Sequence, residues 1–201
     1  MISDHYLNRP LSIYLNDLAA RKMAPGGGSA SALAAALGAG LNLMVINFTI
    51  FHFTMYHKEK DKKFAFMRSE QDKIIKRIMI LIDKDCQVFT DLMRAISVKA
   101  KNIEDKYKDA ANVPMEIAHE SLLSMAITLG LAKCGNKNLM SDIGCALHFL
   151  KGAFYASRLN VLINLKYIKD EKFVKEKGKK LSHMKKEIDN ISYRINKTIE
   201  V

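Results

Sequence analysis

The chain has 201 residues, 49% of them apolar and 26% charged, with a formal net charge of +11. That length and balance suit one domain, residues 1–201, with a buried core, and they exclude a disordered or low-complexity chain. Its three cysteines, Cys86, Cys134 and Cys145, are scattered with no CxxC spacing, which argues against a disulfide framework and a zinc site and suits a reducing cytoplasm.

At the N-terminus, MISDHYLNRPLS lacks the basic stretch and apolar run of a secretory signal. The three prolines, Pro10, Pro25 and Pro114, each stand where a helix can begin, since the first helical turn leaves its N–H groups unused. A first helix is predicted from about Pro10 to Lys22, with Leu11, Tyr14, Leu15 and Leu18 on one face. The breaker cluster Ala24-Pro25-Gly26-Gly27-Gly28-Ser29 then precedes an alanine-rich helix. No formally charged residue occurs from Ala24 to His57, so a membrane span has to be weighed. Alanine, serine and glycine in its first half gain little from lipid, and Asn42, Asn47 and Thr49 interrupt the second half. The segment therefore reads as the central helix of a packed bundle, with no membrane partner. Next, Lys58-Glu59-Lys60-Asp61-Lys62-Lys63 interleaves both signs, as a solvated surface does. With no nucleic-acid-binding signature beside it, no nucleic-acid partner is expected.

From about Phe64 to Val98, apolar residues recur at helical spacing (Ile74, Ile75, Ile78, Leu81, Ile82, Phe89, Leu92, Met93, Ile96), predicting one long amphipathic helix with room for a single break. Residues 99–112 are polar and read as a surface connection. Pro114 is expected to open the next helix, which stops near Cys134-Gly135. Ser141 is expected to cap another long helix, with Asp142 at its first position. In the C-terminal segment, Leu181, Met184, Ile188, Ile191 and Ile195 form a narrow heptad seam suited to another helix or a second subunit. Strand-like alternation is absent. The fold class is all-α, a bundle of about six to seven helices.

Three groups of residues are candidates for chemistry. The glycines Gly26, Gly27 and Gly28 expose backbone N–H groups at a helix start, where partial positive charge suits an anion and Ser29 adds a hydroxyl; the alternative is a turn with Ser29 as cap. Asp142, in the first turn of its helix, is a candidate base, acid or ligand anchor, or else a plain first-turn acid. Asn160 and Asn164 lie one turn apart among apolar neighbours, so they face a buried polar partner, either a ligand or another helix. The six histidines form no ligand set: His119-Glu120 begins an HExxH pattern, but Leu123 stands where the second histidine belongs. No metal is expected.

Taken in order, Ala24-Pro25-Gly26-Gly27-Gly28-Ser29, Asp85 and Phe89 in DCQVFTDLMRA, Val113-Pro114, Asn136-Lys137-Asn138-Leu139-Met140-Ser141-Asp142-Ile143-Gly144 and Asn160-Val161-Leu162-Ile163-Asn164-Leu165 resemble the cyclodeaminase/cyclohydrolase domain of the formiminotransferase-cyclodeaminase family. The resemblance implies an all-helical homodimer that binds a tetrahydrofolate derivative, polyglutamylated or not, as substrate, with no covalently bound cofactor. Any formiminotransferase would be a separate partner chain. Two reactions are implied. In one, N10 displaces ammonia from 5-formiminotetrahydrofolate to give 5,10-methenyltetrahydrofolate; in the other, water opens methenyltetrahydrofolate to the 10-formyl compound. In that frame Asp142 is the general acid/base, Gly26, Gly27, Gly28, Ser29 and Ser141 hold substrate, and Asn160 and Asn164 orient the site. The surplus lysines would steer an anionic glutamate tail. One departure stands out: Ile50 to His57 is apolar where the family carries a glycine and a lysine-tyrosine stretch. A scaffold that binds folate without turning it over is the alternative this departure raises.

Overall fold

The computed structural model describes residues 5–56 and 61–199, with side chains for 5–51 and 62–199. For the departure at Ile50 to His57, the backbone is described as far as Tyr56, and the side chains from His52 onward lie outside the description. Among those described there are six α-helices and no strand: α1 (Leu11–Ala19), α2 (Gly27–Tyr56), α3 (Asp61–Ser97), α4 (Ile103–Cys134), α5 (Met140–Leu165) and α6 (Glu171–Ile199). The bundle is built on α2, α3, α4 and α5, with α6 laid across α4 and α5.

Composition explains why α2 sits centrally. Its small residues let neighbours approach closely, and Ala32, Ala35 and Ala39 are wholly buried. It runs antiparallel to α5, with Gly27 facing Asn160 and Gly38 facing Leu150 and Ala146. A Cβ on Gly38 would stand 2.7 Å from Leu150 Cγ, so this crossing tolerates no side chain there. Gly27–Phe51 is long and apolar enough to cross a membrane by length and composition; here it packs against α3, α4 and α5. Asn42, which interrupts that apolar run, is buried and bonds through Nδ2 to Ser124 O and to Thr128 Oγ1 on α4. Gln71 of α3 joins the same group, donating to Ala39 O and Ser124 Oγ. A fully paired buried network of this kind fixes the relative register of three helices.

Two apolar clusters flank this network. One gathers Tyr14, Ala32, Ile74, Ile78, Leu81 and Ile117 below the glycine run. The other gathers Ile46, Met125, Leu131, Leu147, Leu150 and Phe154 with the α6 seam. Leu181, Met184, Ile188 and Ile195 of that seam are buried, so its partner lies within the same chain.

The structure corrects three boundaries. Helix α1 stops at Ala19, before Arg21 and Lys22. Helix α4 begins at Ile103, not at Pro114, so most of the expected surface connection is helical and the proline lies inside the helix. Ser141 is not a cap: Asn136 accepts from the Asn138 N–H at 3.0 Å, and a short 3-10 turn over Lys137–Leu139 runs directly into α5. The cap therefore lies upstream, and Ser141 is an exposed residue of the first turn.

Candidate active site

The N-terminus of α2, the middle of α3 and the C-terminal part of α5 meet around a cavity of about 240 Å³. Gly26, Gly27 and Gly28 form one wall, Asp85 another, and Asn160 and Asn164 a third; Val88, Phe89 and Ile163 supply apolar surface.

Asp85 is the central group. Its carboxylate accepts the backbone N–H of Ser29, and burial pushes its pKa up from 3.8 to about 6 against that hydrogen bond. The carboxylate lies so close to α2 that a Cβ on Gly28 would stand 2.6 Å from Oδ2 and nearer still to Oδ1. Only glycine lets the acid reach this helix start. The anion for which Gly26-Gly27-Gly28-Ser29 is suited is thus supplied by the protein itself, from α3.

Behind the glycines lies a buried polar layer. Ser29, fully buried, shares a hydrogen bond with the Tyr14 hydroxyl at 3.1 Å and also bonds the Cys86 thiol. Burial pushes Cys86 up to about 11 and raises Tyr14, so both stay protonated at neutral pH. Ser31 donates to Gly28 O at 2.6 Å and accepts from Ser157 of α5 at 2.9 Å. These bonds hold the glycine turn against α1, α3 and α5. Ser29 therefore supports the wall rather than forming it.

The two asparagines are oriented by backbone carbonyls, and Pro114 is the reason for one of them. Proline has no N–H, so the carbonyl four residues earlier, Ala110 O, loses its helical donor. Asn164 Nδ2 donates to that oxygen at 2.8 Å, and to Asn160 O at 2.9 Å. Asn160 Nδ2 donates in turn to Ala156 O at 2.9 Å. A carbonyl only accepts, so each amide must turn its nitrogen to the backbone and keep Oδ1 for the cavity. The site therefore offers the acceptors Asp85, Asn160 and Asn164 opposite the N–H groups at the start of α2.

Of the residues singled out in the sequence, Gly26, Gly27, Gly28, Asn160 and Asn164 come together, with Ser29 immediately behind. Asp142 and Ser141 do not join them. They stand in the first turn of α5, and the 18 residues separating Asp142 from Asn160 span about 27 Å at 1.5 Å per residue. Asp142 is also only half-buried. The acid that the structure places beside the glycines is Asp85.

A model of the formiminotransferase-cyclodeaminase family matches residues 10–183. The chain belongs to that family. It is 28% identical to the methenyltetrahydrofolate cyclohydrolase of Methylorubrum extorquens, an alignment covering 96% of this chain and 97% of that protein. It is also 28% identical to the rat formimidoyltransferase-cyclodeaminase, covering 90% of this chain but 35% of that longer protein. Among solved structures, the formiminotetrahydrofolate cyclodeaminase of Thermotoga maritima superposes with a TM-score of 0.89 at 28% identity, covering 96% of both chains. For this family member the sequence signal for Asp85 was its place in DCQVFTDLMRA. Lying in mid-helix without a cap or glycine beside it, Asp85 carries no local mark of its place beside the glycines.

Proposed function

We propose that this chain converts 5-formiminotetrahydrofolate to 5,10-methenyltetrahydrofolate and ammonia, with Asp85 as the proton-transfer group. The observation that carries this reading is the buried Asp85 carboxylate, raised to about 6 and held against the glycine-rich start of α2. When N10 attacks the formimino carbon, N10 must lose a proton and the departing amino group must gain one. A carboxyl group titrating near neutral pH can accept the first and deliver the second. The formamidine is cationic when protonated, and so is the methenyl product. Three oxygen acceptors around the cavity suit that charge. The likeness to a solved formiminotetrahydrofolate cyclodeaminase supports the same assignment.

Cyclohydrolysis is the second reading, favoured by the full-length likeness to a methenyltetrahydrofolate cyclohydrolase. There Asp85 takes a proton from the water that attacks the methenyl carbon and returns it to N5 as the C–N5 bond breaks, while the remaining hydroxyl proton leaves to solvent as the formyl carbonyl forms. Ultraviolet absorbance at the methenyl band separates the two. A catalysed rise with 5-formiminotetrahydrofolate supports cyclodeamination. A catalysed fall with methenyltetrahydrofolate alone assigns cyclohydrolysis. Binding of tetrahydrofolate with neither change would identify a non-catalytic folate-binding protein.

A homodimer is part of the proposal. The outer stripe of α2 leaves Leu37, Phe48 and Phe51 exposed by 50%, 54% and 69% on a face without charge. Burying such a stripe against a second copy removes apolar area from water. Sedimentation of wild type and Phe48→Glu tests it: a dimer that the substitution splits is expected, and a wild-type monomer refutes it. A formiminotransferase is the proposed supplier of the formimino substrate.

A further inference from the structure

The cavity beside Asp85 holds about 240 Å³, below the roughly 300–1,000 Å³ of pockets that enclose a whole drug-sized ligand. A tetrahydrofolate is a reduced pterin joined through N10 to an aminobenzoyl group and a glutamate. Only the end bearing the one-carbon unit fits beside Asp85, so the arm beyond N10 must leave the cavity. One residue of the cavity wall, Cys86, also lines a second and wider opening, a groove of about 680 Å³ between the N-terminal segment and α3. We propose that this groove is the second half of the substrate site and takes the aminobenzoyl-glutamate arm. The proposal rests on the folate reading above.

The groove's chemistry matches that arm. Ile80, Lys84 and Gln87 repeat at spacings of four and three along α3, so they present one face. Across from them stand Leu7 and Asn8. Ile80 is 62% exposed and Leu7 38% exposed, two apolar side chains that an aromatic ring would cover. Asn8 and Gln87 offer amides of the kind that pair with the benzoyl-glutamate amide. Lys84 supplies positive charge for the glutamate carboxylates. Its present partner is Glu116 at 3.1 Å, an ion pair with both side chains near half exposed. Such a pair is weak and exchanges readily for a ligand carboxylate.

The N-terminal wall is built rather than loosely draped. The Tyr6 N–H donates to Asp83 Oδ1 at 2.7 Å, and His5 Nδ1 lies 3.3 Å from Asp83 Oδ2. The Tyr6 hydroxyl donates to Asp17 Oδ2 at 3.0 Å, and its ring meets Tyr14 edge-on at 5.2 Å. Tyr14 in turn bonds Ser29 behind the glycine run. The wall of the groove and the wall of the cavity thus share one set of supports.

Steady-state kinetics with 5-formiminotetrahydrofolate and with the matching tetrahydropteroate, which lacks only the glutamate, tests the assignment; the methenyl pair replaces them if cyclohydrolysis is the reaction found. Lys84→Glu should abolish most of the preference for folate over pteroate, a change of about tenfold expressed in KM. Ile80→Glu should raise KM for both substrates by about tenfold. As a measurement independent of any variant, p-aminobenzoyl-glutamate at millimolar concentration should shift the methyl resonances of Leu7 and Ile80 in the wild-type protein. Folded variants with wild-type KM values and an unchanged preference overturn the proposal, as do unmoved Leu7 and Ile80 methyls. A wild-type protein that neither binds nor converts a folate overturns the underlying reading as well, so the two failures are told apart by the wild type alone.

Discussion

Replacing Asp85 with asparagine should separate the cost of the acid from its use. Burial raises this carboxyl from 3.8 to about 6, a difference worth about 3 kcal/mol at 1.36 kcal/mol per pH unit. Its folded pKa lies above its unfolded one, so between about pH 4 and pH 6 the folded state binds more protons than the unfolded state, and wild-type stability falls as pH rises through that window. Asparagine carries no charge and still offers an oxygen to the Ser29 N–H. Asp85→Asn should therefore be more stable than wild type by up to about 3 kcal/mol at pH 7, with the gap closing towards pH 4. Urea unfolding across that range measures it. The same variant should lose on the order of 10²–10⁴ in turnover, the usual worth of a positioned acid/base. The wild-type kcat/KM profile should carry an apparent pKa of about 6. A variant no more stable at pH 7, or a gap that persists undiminished at low pH, would refute the claim that a costly buried carboxylate is kept for catalysis.

Gly28→Ala should displace the Asp85 carboxylate, because the added Cβ would stand 2.6 Å from Oδ2; turnover should fall by about a hundredfold or more despite alanine's better helix propensity, and wild-type activity would refute the contact. Asn164→Ala removes the donor to Ala110 O, so urea unfolding should show a loss of about 1–3 kcal/mol and kinetics a raised KM; adding Pro114→Ala, which restores the helical donor to that carbonyl, should recover part of the stability but not the KM. Asp142→Asn, about 27 Å along α5 from Asn160, should leave turnover within about twofold of wild type. A severe loss in that folded variant would mean that a second copy brings Asp142 to the site.

Helix periodicity made most of the bundle legible. The apolar spacing in residues 64–98 corresponds to the unbroken α3, and the Leu181–Ile195 seam to the buried stripe of α6. Legibility fails where a residue's local preference is overridden by a distant partner. Pro114 favours a helix start by its missing N–H, yet it lies inside α4, because the vacated Ala110 carbonyl finds its donor on α5 rather than in its own helix. Ser141 has the chemistry of a cap, but Asn136 already closes the turn before it. Neither override leaves a mark within the local window that propensity reads.

The site divides along the same line. Gly26 to Gly28 and the Asn160/Asn164 pair announce themselves by composition and spacing; Asp85 does not. What identifies it is a relation between two helices: a carboxylate on α3 approaches α2 where Gly28 leaves room for it and the Ser29 N–H receives it. The glycines, read alone, promised a place for a ligand's anion, whereas their structural task is to admit the protein's own. That exchange reverses the charge expected of the ligand at this point. A helix start already neutralised by Asp85, facing two asparagine oxygens, favours a cationic one-carbon centre over a carboxylate or phosphate. The anionic end of a folate must then lie elsewhere, and Lys84 in the neighbouring groove is placed to receive it.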